Sequence, residues 1–346
     1  MLPQIVPSEF LPLVEVQLTH QDALLNRPNV VGVALGHKYT GGINTGERSI
    51  SVLVHRKVDA RYLAPKAMIP TELDGIPTDV QEVGLIRAGG GPQPWADRAG
   101  VAPTQGASTQ GASTQQGIGP FQLGQRVRPA FAGVSVGHYR VNAGTYGAGC
   151  YDASPQAGQP GRYYILSNNH VLADCNAATV GDPILQPAVV DGGRYPTDVI
   201  GRLARFVPIR FHDGVQKPLN FVDAAIAEGA RELDRRVYFA GEVKRLNAAP
   251  TVNDTVQKWG RTTNFTTGHI LNINATVDVH YDGGRIARFC QQIVTTSMSA
   301  GGDSGSLVTD PDEGAVGLLF AGSGRITVLN HIVAVQALLG VRVTEG

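Results

Sequence analysis

The spacing of apolar and polar residues changes several times along the chain, and each change marks an element. Over residues 8–25, Leu, Val and Ala alternate with polar residues at near-helical spacing, which predicts one N-terminal helix. Asn29 to Leu35 and Ser49 to Val54 read as strands joined by a glycine-rich turn, Thr40 to Gly46. A second turn, Asp74-Gly-Ile-Pro77, leads into another strand-like run, Thr78 to Gly84. Residues 1–87 are therefore expected to form a small α+β module without a catalytic cluster.

From Ala88 to Pro120 the periodicity disappears. The chain there is Gly, Pro, Ser, Thr, Gln and Ala, with a tandem repeat, Thr104-Gln-Gly-Ala-Ser108 and Thr109-Gln-Gly-Ala-Ser113. Such a stretch lacks the apolar side chains that offset ordering entropy, so 88–120 is expected to be a flexible linker. From 121 to 346 the pattern becomes serial short strands: Gly133–Gly137, Tyr163–Leu166, Asn220–Ile226, Thr255–Trp259 and Val316–Phe320. That spacing favours an all-β sandwich or a pair of small barrels side by side. Ile332, Val335, Leu338 and Leu339 share one face of a closing helix.

Composition narrows the function. A chain of 346 residues suits two domains, and 42% hydrophobic residues suffice for a core. Lys+Arg and Asp+Glu both number 29, giving zero formal charge. Nucleic-acid or anionic-membrane partners, which need clustered positive charge, are thereby disfavoured. The three cysteines, Cys150, Cys175 and Cys290, are widely spaced. They exclude a disulfide-dense scaffold and a CxxC-type zinc site. His20, His37 and His55 form no HxxxH pattern, so no metal and no cofactor are expected. The N-terminus lacks a basic start followed by an apolar run, and no stretch approaches 18 apolar residues. The expected address is cytoplasmic with reduced thiols; the alternative is a Cys150–Cys175 bridge across the flanks of His170.

The chemistry centres on Ser299-Ala-Gly-Gly-Asp-Ser-Gly-Ser-Leu-Val308. Ser304 lies between Gly302 and Gly305 on a tight turn ahead of an apolar strand. Such a turn projects Oγ, and glycine lets backbone amides converge on one point. The N–H groups of Gly302 and Ser304 are the candidate oxyanion hole. A serine nucleophile needs a base oriented by a third group. Tyr164-Ile-Leu-Ser-Asn-Asn-His170-Val supplies His170, and Asn220-Phe-Val-Asp223-Ala-Ala-Ile supplies a carboxylate in an apolar run. A buried carboxylate is costly unless paired, and His170 is the obvious partner.

In order and motif these residues resemble a trypsin-like serine protease of the chymotrypsin fold, over roughly Gly133 to Val341. Gly302-Asp-Ser-Gly305 matches the nucleophile motif of that family, and Ser167-Asn-Asn-His170-Val resembles the HtrA branch. Trp259-Gly-Arg-Thr-Thr263 resembles a strand of bacterial secreted members. Gly32-Val-Ala-Leu-Gly36 and Gly75 to Gly84 are similar to the plant narrow-leaf protease group and its bacterial relatives. The resemblance implies a mostly β fold: a double β-barrel of chymotrypsin type with a C-terminal helix, preceded by the α+β module. It also implies a substrate-backbone strand at Phe320, Ala321 and Gly322, and a pocket residue at Met298, six before Ser304. An acid at that position selects Arg or Lys in trypsin, so methionine points to a small-to-medium apolar P1 side chain. No Ile-Val-Gly-Gly sequence is present for cleavage to expose, so Asp303 needs another cation. Lys258 is the first candidate and Arg261 the second. With the sequence ending at Gly346, a PDZ-like domain of the HtrA kind is not expected.

Three readings follow from the sequence. The first is an endopeptidase acting on a protein or peptide substrate through His170, Asp223 and Ser304, with homo-oligomerisation left open. The second is a non-proteolytic scaffold on a protease fold. The third is a self-processing protease that cuts its own linker near Ala107-Ser108 or Ala112-Ser113.

Overall fold

The computed structural model describes residues 5–89, 123–141, 143–154, 163–229, 233–237 and 243–344. From residue 90 onward the expected linker, with its repeat and both Ala-Ser steps, lies outside the described residues.

The N-terminal helix begins as a 3-10 turn, Ser8–Phe10, and continues as an α-helix, Leu11–Leu25. It buries Phe10, Leu13, Leu24 and Leu25. Gln17 shares the buried face because its amide is satisfied there: Nε2 donates to the Asn274 carbonyl at 2.8 Å, and Oε1 accepts from Asn274 Nδ2 at 2.9 Å. Val30–Thr40 and Ile43–Val54 form an antiparallel hairpin, and Ile76–Glu82 joins its outer edge in parallel.

The hairpin also pairs beyond its own segment. Val30–Thr40 runs antiparallel to Asn264–His280, with Gly32 opposite Val277 and Leu35 opposite Ile273. The N-terminal strands therefore extend a sheet of the C-terminal half. Phe10, Leu13 and Leu35 share a core with Val256, Ile270 and Leu319.

Two barrel-like bodies carry the rest, as the sequence leads one to expect. In the second body, strands Ile286–Thr296, Ile326–His331, Gly314–Gly322, Leu307–Thr309, Thr255–Gly260 and Asn264–His280 follow one another in the sheet. Asn264–His280 then pairs with Ile286–Thr296, and the barrel closes. In the first body the path runs from Ala148–Asp152 through Tyr163–Ser167, Ala225–Gly229, Val199–Phe206, Pro183–Leu185 and Ser135–His138 to Gly144–Thr145. Its two ends are separated in sequence only by Tyr146 and Gly147, so the sheet must curl back on itself. Leu166, Val171, Ile226 and Leu203 fill its interior.

The closing helix, Ile332–Leu339, follows strand Ile326–His331 directly, and His331 Nδ1 accepts the Val333 amide at its start. Ile332, Val335 and Leu339 are buried, at i, i+3 and i+7. Leu338, expected on the same face, is exposed because so short a helix docks along one narrow stripe. After it, Val341–Arg342 pairs with Ala148–Asp152 of the first barrel, tying the two bodies together. Among the described residues no helix is long and apolar enough to cross a membrane.

Candidate active site

His170 sits on a short helix, Asn169–Leu172, immediately after strand Tyr163–Ser167. The two asparagines before it tie down its surroundings. Asn168 Nδ2 donates to the Asp223 carbonyl at 2.7 Å, and Asn169 Nδ2 donates to the Val207 carbonyl at 2.7 Å. Asp223 was expected inside a continuous strand. The structure instead has a short strand, Leu219–Asn220, and a second, Ala225–Gly229, with Asp223 in the irregular break between them. The break frees the Asp223 main chain to bond side chains: its N–H donates to Asn330 Oδ1 at 3.1 Å, and its carbonyl accepts from Asn168 and Asn330.

The carboxylate of Asp223 is wholly buried and grips His170 at two points. Oδ2 lies 2.6 Å from His170 Nδ1, and Oδ1 accepts the His170 backbone N–H at 3.1 Å. This bidentate hold fixes both the position of the ring and the nitrogen that carries the proton. A third donor has no signature in the sequence. Tyr281 Oη donates to Asp223 Oδ2 at 2.7 Å, and its ring meets the His170 imidazole edge-on at 6.1 Å. Burial, reinforced by the Asp223 charge, raises the Tyr281 phenol well above its ordinary value, so it stays a neutral donor. His170 Nε2 is buried without a hydrogen-bond partner, and so is Ser304 Oγ.

The nucleophile loop is docked against the first barrel. The Thr145 amide donates to the Ser304 carbonyl at 2.7 Å, and Thr145 Oγ1 donates to the Gly302 carbonyl at 2.9 Å. Gly305 has φ of +94°, and a Cβ there would lie 2.0 Å from Ser167 Oγ, three residues before His170. Only glycine lets the loop approach the histidine strand this closely. Gly305 N–H and Leu319 N–H exchange bonds with the Leu319 and Ser306 carbonyls, fastening the loop to strand Gly314–Gly322. The Gly302 and Ser304 amides donate to no acceptor among the described residues.

Asp303 is also fully buried. Its oxygens accept from the Thr262, Thr263 and Ala300 amides and from Thr263 Oγ1, at 2.6–3.1 Å. Lys258 Nζ, equally buried, stands 3.5 Å from Asp303 Oδ2 and donates to Thr263 Oγ1 and the Asn264 carbonyl. Burial lowers the Lys258 pKa, and Asp303 opposes that shift. Arg261, the second candidate cation, forms a bidentate pair with Asp191 instead.

Met298 lies in the interior of the second body with Val256, Ile270 and Ile293, its side chain 4% exposed. Phe320, Ala321 and Gly322 are buried at the end of strand Gly314–Gly322. Phe320 packs on Phe289 at 4.8 Å between ring centroids. Cys150 and Cys175 are free thiols, so the bridge held as an alternative is absent. Burial pushes the Cys175 thiol up to about 12. Among the described residues no group of three or more His, Cys, Asp or Glu could hold a metal ion.

Comparison with known proteins follows the two halves of the chain. The model of the NARROW LEAF 1 N-terminal domain matches residues 9–83, the segment whose motifs resemble the narrow-leaf group. No curated protein matches the chain. Solved structures similar to it include protease A of Thermobifida fusca, at 16% identity over 62% of this chain and 98% of that one, TM-score 0.42. The Nocardiopsis protease NAPase is 20% identical over 62% and 98%, also at TM-score 0.42. A chymotrypsin of Cellulomonas bogoriensis is 18% identical over 63% and 99%, at TM-score 0.41.

Proposed function

We propose that the protein is a serine endopeptidase. The observation that carries this reading is the double grip of buried Asp223 on His170, which leaves Nε2 as the one ring nitrogen without a partner, in a site that also holds an unpartnered Ser304 Oγ. His170 Nε2 takes the Ser304 proton as Oγ attacks the scissile carbonyl. Asp223 stabilises the imidazolium that forms, and Tyr281 holds the carboxylate in place. The unengaged Gly302 and Ser304 amides receive the oxyanion, a donation worth about 10²–10³ in rate per donor. His170 then returns the proton to the leaving amine, and water releases the acyl-enzyme. Asp303, held by three amides, a hydroxyl and Lys258, keeps the loop in shape without a freed N-terminal amine. Met298 in place of an acid favours a small-to-medium apolar P1 side chain.

Hydrolysis of a quenched-fluorescent peptide library by the purified full chain tests this reading. Ser304→Ala is expected to lower kcat by about 10⁵–10⁶ and Asp223→Asn by about 10⁴, with circular dichroism unchanged. Hydrolysis that survives Ser304→Ala at the wild-type rate contradicts it.

A further inference from the structure

We infer that Arg87–Gly89 closes the cleft in cis, lying on the strand that binds the main chain of a substrate. The inference rests on the protease reading above. Leu319 fastens the nucleophile loop through its bonds with Gly305 and Ser306, and Phe320 is the next residue along the same strand. An extended peptide paired with Phe320–Gly322 thus lies beside Ser304. That pairing is already made. Ala88 stands opposite Ala321 and Arg87 opposite Gly322, antiparallel, and the Gly89 amide donates to the Phe320 carbonyl at 3.2 Å. From Arg87 to Gly89 the segment runs from Gly322 back toward Phe320, in the direction of the nucleophile.

Two features make the segment a plug rather than a substrate. At Gly89 φ is +83°, so the chain leaves the extended conformation before it reaches Ser304. The preceding residues are anchored: Ile86 is fully buried, its carbonyl accepts the His280 amide at 2.9 Å, and Ser323 Oγ donates to the Val83 carbonyl. The side chain of Arg87 is exposed. The plug therefore holds by main-chain pairing, which any extended peptide can replace strand for strand. Release needs Arg87–Gly89 to leave both this strand and its parallel pairing with His280, with Ile86 staying in the core. Phe320 and Ala321 are inaccessible while it is in place.

The full chain and its Arg87→Pro and Gly89→Val variants test this. Proline at 87 removes the amide of the hydrogen-bonded Arg87–Gly322 pair, and valine at 89 resists positive φ, so the two weaken the plug by different means. If the released form is about a tenth of the population, each variant lowers KM for an extended peptide by up to about tenfold, with kcat unchanged. Labelling by a small fluorophosphonate, which needs Ser304 but not the strand, stays the same. Hydrogen exchange at the Gly322 amide, which faces Arg87, is slow in the wild type and becomes fast in the variants. Unchanged KM together with fast exchange in the wild type overturns the inference, as does a wild-type chain found cut after Gly89. If no chain labels or hydrolyses, the protease reading has failed, and exchange alone then decides whether the strand is occupied. Should Arg87→Pro not fold, Gly89→Val carries the comparison.

Discussion

Asp223 and Asp303 are both wholly buried carboxylates within one functional region, yet their partners differ in kind. Asp303 is enclosed by three backbone amides, a threonine hydroxyl and a lysine, a set of fixed donors. Asp223 is held by a histidine, a side chain able to take up and release a proton, and by a tyrosine that burial keeps protonated. The first arrangement suits a fixed point that shapes a loop. The second suits a carboxylate whose partner must gain and lose a proton. Burial alone therefore does not identify a catalytic acid; the proton inventory of its partners does.

The largest effect that can break this comparison comes from Asp303→Asn. Lys258 would be left charged and buried without its counterion, at a loss of about 3–5 kcal/mol. Urea unfolding should show that loss, and fluorophosphonate labelling should fall with it because the loop slackens. A variant as stable as wild type means that Lys258 needs no counter-charge, and the contrast with Asp223 weakens.

Tyr281→Phe sharpens the other side. A hydrogen bond to a charged group contributes about 1.5–3 kcal/mol, so kcat/KM should fall roughly 10- to 100-fold. The sign of the pH effect follows from charge. With its third donor gone, the carboxylate holds more charge against His170, the imidazolium is favoured, and the acidic limb of the pH–rate profile moves up. A purely structural tyrosine would lower activity without moving that limb.

The smallest effect concerns Lys258. Because burial holds its folded-state pKa below the ordinary value, the folded chain binds this proton more weakly than the unfolded chain. Its contribution to stability is therefore lowest below the folded pKa and rises as pH climbs through that value toward the unfolded one. Subtracting the pH–stability curve of Lys258→Met from that of wild type should leave a shallow upward slope in this alkaline range. A downward slope would mean that the pair with Asp303 outweighs desolvation.

The sequence was most legible where chemistry demands particular residue types. Gly302, Ser304 and Gly305 mark a tight turn, and the structure uses Gly305 to bring that turn against Ser167. His170 and Asp223 were readable as a basic side chain and a carboxylate set among apolar residues, and the structure joins them. Helix Leu11–Leu25 and strands Val30–Thr40 and Ile43–Val54 followed from local periodicity. Features made by distant pairing left no such trace. Tyr281 reaches Asp223 from 58 residues away in an otherwise ordinary strand-end context. The union of Val30–Thr40 with Asn264–His280 depends on register across more than two hundred residues. The composition break at Ala88 hides the pairing of Arg87 and Ala88 with Phe320–Gly322, because main-chain recognition needs no particular side chains.

The central claim, that His170 acts as the base for a Ser304 nucleophile, is tested most directly by intact-mass analysis after exposure to a fluorophosphonate probe. Wild type should gain one adduct, mapped to Ser304, while Ser304→Ala and His170→Ala remain unlabelled and folded. A folded wild-type chain that gains no adduct, or a His170→Ala chain that labels at the same rate, would contradict the account.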